Sequence, residues 1–156
     1  MTTKAKPLTP YHVAIGNVVI KVMSAVNRWA YRATGGRIGG TFPGGAPILL
    51  LTTIGRKSGE PRTMPLIYLA DGDDLVLVAS KGGMDHHPLW YLNLVANPDV
   101  KVEVGRERLA MRARTATAEE KARLWPPLVA LFPDYQLYQD RTEREIPVVI
   151  LSRVTT

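Results

Sequence analysis

Thr63-Met64-Pro65-Leu66-Ile67-Tyr68-Leu69-Ala70, then Asp71-Gly72-Asp73-Asp74, then Leu75-Val76-Leu77-Val78-Ala79: two apolar runs of strand length flank four turn residues. Asp-Gly between such runs is a hairpin signal, because glycine supplies the positive φ that a tight turn between antiparallel strands requires. The same grammar continues on either side. Ile48-Leu49-Leu50-Leu51 is a continuous apolar run, as in a strand buried on both faces. Val100-Lys101-Val102-Glu103-Val104 alternates strictly, and Leu109, Met111 and Ala113 keep the alternation after Gly105. Ile146 to Leu151 supplies a last strand.

Two helices interrupt the strands. Pro88 to Ala96 opens on a proline, which suits a first helical turn, and stops at Asn97-Pro98. Thr117-Ala118-Glu119-Glu120 is a capping box that opens a helix toward Leu131. About six strands joined mostly as hairpins, with helices set around them, predict an α+β antiparallel small barrel and not a parallel βαβ sheet.

The chain has 156 residues, a length that suits one domain with one core, 1–156. Residues 1–12 read as an N-terminal arm containing Pro7 and Pro10. Residues 13–34 read as an amphipathic helix, with Ile15, Val18, Val19, Val22, Val26 and Trp29 in one stripe and Lys21, Arg28 and Arg32 along its border. That stripe is expected to pack on the barrel; a helix resting on an anionic membrane surface, its basic side chains snorkelling, is the competing reading. A glycine-rich loop follows from Gly35 to Pro47, and the barrel occupies 46–156.

The chain has no cysteine, which excludes disulfides, thiolate metal sites and a Cys nucleophile. The first residues show no signal-peptide core, and no apolar run reaches the roughly 20 residues of a membrane span. A cytoplasmic protein is expected, with peripheral contact at the inner face of the membrane as the one extension. A net charge of +6 attracts polyanions of any kind and does not choose among them.

The densest polar segment is Thr52-Thr53-Ile54-Gly55-Arg56-Lys57-Ser58-Gly59-Glu60-Pro61-Arg62. Its glycines let backbone N–H groups turn toward an anion, while Arg56, Lys57 and Arg62 add positive charge within seven residues. A merely basic, solvated hairpin turn would look the same. Ser80-Lys81-Gly82-Gly83 repeats the chemistry just before the helix that starts near Pro88, and adjacent strands are expected to bring both loops to one end of the barrel.

Asp85-His86-His87 has no further histidine cluster to complete a metal site, so no metal is expected. No nucleophilic triad or paired carboxylates can be argued either, which points to chemistry carried by a cofactor. Trp90-Tyr91 and the Pro-interrupted run Phe132-Pro133-Asp134-Tyr135-Gln136-Leu137-Tyr138 are the aromatic clusters, the second a candidate lid over a flat ring.

Taken in order, Gly55 to Arg62 with Pro65-Leu66, Ala79-Ser80-Lys81-Gly82-Gly83, Pro88-Leu89-Trp90-Tyr91-Leu92-Asn93-Leu94 and Asn97-Pro98 resemble the deazaflavin-dependent nitroreductase family of actinobacteria. Trp29-Ala30-Tyr31-Arg32, Gly39-Gly40-Thr41-Phe42, Trp125-Pro126 and Tyr135 to Gln139 extend the likeness over most of the chain. The resemblance implies a split β-barrel like that of flavin-mononucleotide-binding oxidases. It implies coenzyme F420, an 8-hydroxy-5-deazaflavin with a phosphate and an oligoglutamate tail. Arg56, Lys57 and Arg62 are then expected at the anionic end, and Ser80, Lys81, Gly82 and Gly83 along the ring and phosphate. Thr53, Gly55, Ser58, Met64, Pro65, Ala79, Trp90 and Tyr91 complete the implied cofactor set.

The implied reaction passes a hydride from carbon 5 of the reduced deazaflavin to a quinone, an enone or a nitroaromatic. Ser80 and Tyr138, with Tyr135 nearby, are the implied catalytic residues that hold the acceptor. Ile67 and Phe132 stand where the best-known member has tyrosines, which implies altered handling of nitro acceptors and leaves quinone reduction less affected. A lipid-soluble quinone would also suit the basic N-terminal helix. The alternatives are a flavin-mononucleotide or haem protein on the same barrel, and a nucleic-acid-binding barrel. The last lacks an aromatic platform on its strands.

Overall fold

The computed structural model describes residues 26, 28–42 and 44–154. The arm 1–12 and residues 13–25 of the expected helix lie outside these. Residues 28–34 are helical. Seven strands follow: β1 (Ile48–Ile54), β2 (Pro61–Ile67), β3 (Leu69–Asp71), β4 (Asp74–Val78), β5 (Asp99–Val104), β6 (Glu107–Thr115) and β7 (Val148–Arg153). Three further α-helices, α1 (Leu89–Ala96), α2 (Ala118–Leu131) and α3 (Asp134–Arg141), and a short 3-10 turn (Lys81–Gly83) complete the described residues.

Every strand pairing is antiparallel, in the order β2-β1-β5-β6-β7-β4-β3. The two edge strands, β2 and β3, are separated in the chain by Tyr68 alone. A flat sheet of this width would hold its edges about 29 Å apart at ~4.8 Å per strand, a gap one residue cannot span. The sheet must therefore curl until its edges meet. Tyr68 N–H donates to the carbonyl of Pro47 at 3.1 Å, extending the β1–β2 ladder one residue past Ile48–Ile67 before the chain crosses to β3. Seven strands replace the expected six because the run Thr63–Ala70, uniform in sequence, is cut by this closure.

The hairpin forms as expected: Asp71 pairs with Asp74 across Gly72-Asp73, with Gly72 at φ 60°. Pro88 is the extended N-cap of α1 and not its first helical residue, whereas the capping box of α2 forms as expected. Thr117 accepts from Glu120 N–H and the Glu120 carboxylate accepts from Thr117 N–H, closing the capping box of α2. Pro126 and Pro127 lie inside α2, where each removes a backbone donor. The helix continues because Leu124 and Leu128, on either side of them, are buried.

Two cores share the sheet. Inside the barrel, Leu49, Leu51, Leu77, Val102, Met111, Val149 and Leu151 pack together, with Trp90 and Leu94 of α1 among them. On the outer face of β4 and β7, Val76, Val78, Val148 and Ile150 pack under Leu124, Leu128 and Tyr135 of α2 and α3. Leu75–Val78 of β4 and Val148–Leu151 of β7 are uninterrupted apolar runs because both of their faces are covered. Each fully buried Leu or Val contributes about 1.5–3 kcal/mol of transfer free energy.

The N-terminal helix differs from its expected packing. Tyr31 is its buried contact, donating to Glu103 O at 3.2 Å and accepting from Gly105 N–H at 2.6 Å. Val26 and Trp29 of the expected packing stripe are exposed, Trp29 to 74%. The basic border is bound to the barrel instead: Arg28 donates to Thr63 O, and Arg32 pairs with Glu103 at 2.9 Å. Lys21 is outside the described residues. Among the described residues, no helix is long and apolar enough to cross a membrane.

Candidate functional site

The strand registers decide which loops share an end of the barrel. Thr52 pairs with Lys101, Asp99 with Arg112, Thr115 with Val149 and Val148 with Val78. The C-terminal ends of β1, β4 and β6 and the N-terminal ends of β2, β5 and β7 thus lie at one rim. The basic turn 55–60 and the turn 79–87 both rise from it. They come from β1 and β4, which three strands separate along the sheet, so the expected shared rim forms without the expected adjacency. Helix α1 runs from the second turn toward β5 and sends Trp90 and Leu94 into the barrel mouth.

A cleft of about 300 Å³ opens between the first turn and α1. It gathers eight of the expected cofactor residues: Thr53, Gly55, Arg56, Lys57, Ser58, Arg62, Met64 and Trp90. Thr63, Leu89 and Asn93 also line it. Thr53 and Met64 point inward with Leu49 and Leu51, since side chains alternate along β1 and β2.

Asn93 organises this turn. It is buried, and its Oδ1 accepts from Arg56 N–H and from Arg56 Nη1, each at 3.2 Å. Its Nδ2 donates to Thr53 Oγ1 at 3.4 Å. A single amide so ties α1 to β1 and to the turn. A lone polar residue in the otherwise apolar run Leu89–Ala96 was the sequence signal for it, because a buried amide needs partners.

The backbone nest expected here is mostly closed. Gly55 N–H donates to Glu60 O and Gly59 N–H to Gly55 O, both at 2.8 Å, and Arg56 N–H goes to Asn93. The outward-facing donors are the side chains. Arg56, Lys57 and Arg62 are exposed, with the Glu60 carboxylate 3.7 Å from Arg62.

The second turn is built the other way. Ser80 is αR, Lys81 has φ 44° and Gly82 has φ 63°. This succession makes the N–H groups of residues 80–82 converge, and they bond to no acceptor among the described residues. Gly83 packs against Tyr138, where an added Cβ would fall 2.7 Å from the carbonyl oxygen. Lys81 Nζ donates to His86 Nε2 at 2.7 Å, and His86 Nδ1–H to Asp85 at 2.9 Å. Burial, with Arg144 nearby, pulls the Lys81 ammonium below the usual lysine range.

Arg144, absent from the sequence expectations, holds this turn. It donates to Met84 O at 2.8 Å, Ser80 O at 2.7 Å and Ala79 O at 3.3 Å, and it meets His87 Nδ1 at 3.0 Å. Nothing in its local sequence, Thr142-Glu143-Arg144-Glu145, distinguishes it from a surface arginine.

Several expected residues face elsewhere. Pro65 pairs with Leu50, whose side chain is on the outer face of the sheet. The Ala79 side chain is fully buried in the barrel core. Tyr91, one position around the helix from Trp90, turns its hydroxyl to Thr115 at 2.9 Å. Tyr135 is 5% exposed in the outer core, where burial pushes its hydroxyl well above the usual phenol range. Phe132 stacks edge-on with Phe42 at 5.3 Å and Tyr135 at 4.9 Å, so the aromatic run is chiefly a packing element. Neither Ile67 nor Phe132 lines the cleft. The Tyr138 backbone lies against the second turn while its ring packs against the outer core, 6.2 Å from Phe132, and Ser80 is buried beside Ala79. Among the described residues, no group of acidic or histidine side chains could hold a metal ion.

The family model for F420H2-dependent quinone reductases matches residues 23–153. An F420H2-dependent quinone reductase of Mycobacterium tuberculosis is 48% identical over 126 residues, 79% of this chain and 85% of that one. A solved F420H2-dependent reductase is 43% identical, with a TM-score of 0.64 over 68% of this chain and 94% of its own. A solved chain described as a domain-swapped dimer is 34% identical, with a TM-score of 0.66 over 92% and 100%. The haem storage protein HutZ of Vibrio cholerae, 14% identical with a TM-score of 0.53 over 70% and 82%, shares the fold.

Proposed function

The chain belongs to the F420H2-dependent quinone reductase family, and from that premise we propose that it reduces a quinone with coenzyme F420 seated in the rim cleft. The observation that carries this reading is the cleft's two-part lining: Arg56, Lys57 and Arg62 at one end, Met64, Leu89 and Trp90 along the other. Three cations suit a phosphate and a chain of carboxylates, and an apolar wall suits a flat ring. When bound, the reduced deazaflavin supplies the hydride. The charge and the apolar wall of these residues support that ligand.

On this reading Asn93 fixes where Arg56 can reach, and Arg62, fixed on β2, gives a bidentate contact that Lys57 supplements as a point charge. Ser80 and the converging N–H groups of residues 80–82 border the ring from the second turn. Tyr138 and the Ser80 hydroxyl are the groups that could hold the acceptor oxygen. Tyr135, locked in the core, supports them by packing. The enzyme works in the cytoplasm and meets a lipid-soluble quinone at the membrane surface through Val26 and Trp29. Trp29→Ala should reduce co-sedimentation with anionic vesicles.

Fluorescence titration with coenzyme F420 and with flavin mononucleotide tests the core of the proposal. Selective binding of F420, weakened about tenfold or more in Arg62→Ala by loss of a charge-assisted bond and less in Lys57→Ala, is the expected result. Preference for flavin mononucleotide would favour the flavin alternative on the same barrel. Unchanged affinity in both variants would overturn the anion-end assignment.

A further inference from the structure

The geometry points to Arg144 as the positioning residue of the second rim turn, acting on the coenzyme through the backbone of residues 79–84 without touching it. The inference rests on the reading that this turn borders F420.

An arginine usually meets a carboxylate, and Arg144 meets none within ion-pair distance among the described residues. Its guanidinium instead collects the carbonyls of Ala79, Ser80 and Met84, three groups that flank the strained Lys81. Arg141 adds a fourth, donating from Nη1 to Gly82 O at 3.2 Å. Each peptide N–H points opposite to the preceding carbonyl, so drawing the Ala79 and Ser80 carbonyls to Arg144 turns the N–H groups of residues 80 and 81 the other way. The Gly82 N–H follows because the Lys81 carbonyl accepts from Met84 N–H. A non-glycine residue at φ 44° costs about 1–2 kcal/mol and persists only where its surroundings over-determine it. The planar fork of Arg144 does so, and the close packing of Gly83 on Tyr138 blocks a retreat toward α3. The charge of Arg144 also reaches its neighbours: with burial, it holds His87 neutral to lower pH than usual.

The full chain carrying Arg144→Gln tests this. The coenzyme Kd, read by deazaflavin fluorescence, should rise about ten- to a hundredfold, the range typical of lost outer support. Arg144→Lys should not restore it, because an ammonium keeps the charge but cannot span three carbonyls. In the same Gln variant the His87 ring should titrate at higher pH by NMR, since a neighbouring cation is gone. Tyr31→Phe, which removes the bonds to Glu103 and Gly105 at the opposite rim, is the control for instability alone and should leave the Kd unchanged.

Wild-type affinity in a folded Arg144→Gln protein, with Arg62→Ala still weakened, would overturn this inference and leave the family reading standing. If Arg62→Ala and Lys57→Ala also bound normally, the seat of the coenzyme itself would be wrong. Should the Gln variant fail to fold, Arg144→Lys decides alone, and wild-type affinity there overturns the proposal.

Discussion

The two turns at the barrel rim solve one problem with opposite electrostatics. In turn 55–60 the backbone N–H groups of Gly55, Arg56 and Gly59 close on partners within the protein, and the cations face out. In turn 79–87 the arginines face in, on carbonyls, and the N–H groups of residues 80–82 are left without a partner among the described residues. A mobile side-chain cation tolerates an anion of variable length, such as a glutamate tail. A fixed backbone demands one shape, such as the edge of a ring. The difference teaches that a count of basic residues locates charge but not which atoms present it.

Trp90 belongs both to the barrel core and to the wall of the cleft beside the first turn, and its loss should have the largest effect. Trp90→Ala should cost about 3–5 kcal/mol in denaturant unfolding, and a loss under 1 kcal/mol would mean that α1 does not close the barrel mouth. Asn93→Leu separates the turns. It removes the acceptor of Arg56 and the donor to Thr53, at about 1–3 kcal/mol. Hydrogen exchange should accelerate at the Arg56 amide and stay slow at Ala79, whose N–H is bonded to Pro147. Equal acceleration at both would break the comparison.

Lys81→Gly should act in the second turn alone. It relieves a positive φ and should stabilise the protein by roughly 1 kcal/mol, while weakening coenzyme binding. A destabilised variant would show that the Lys81–His86 bond outweighs the backbone strain.

The smallest effect belongs to an ion pair between β6 and α2 that contacts neither turn. Arg114, with Thr117 N–H, pulls the Glu120 carboxyl down to about 2. Its folded value lies below its unfolded one, so its contribution is present in full above pH 4.5 and fades as pH falls toward 2. The melting temperature should fall across that window, and Glu120→Gln should remove this component while leaving both turns intact.

Local features of the fold were legible because local physics sets them. The Asp71–Asp74 hairpin, the alternation of Val100–Val104 and the Thr117/Glu120 box all form as the residues require. The cut at Tyr68 was not legible, since nothing in Thr63–Ala70 marks a turn and the break is made where the chain changes its partner strand from β1 to β4. The site divides likewise. Arg56, Lys57 and Arg62 announce themselves by density, and the cleft holds them. Arg144 is invisible because its role is defined by carbonyls some 60 positions away, and Tyr91 misled because sequence does not say which way a helix is rotated.

The position of β7 has a consequence for how the molecule is made. The last strand in chain order lies between β6 and β4, in the interior of the sheet. Until residues 148–153 have been synthesised, β2-β1-β5-β6 and β4-β3 are two fragments, each with an open edge able to pair with another chain. The two fragments are therefore joined only by the short segment 148–153. A nascent chain shortened before Val148 should depend on chaperones, whereas the chain through Arg153 should fold in a single cooperative step.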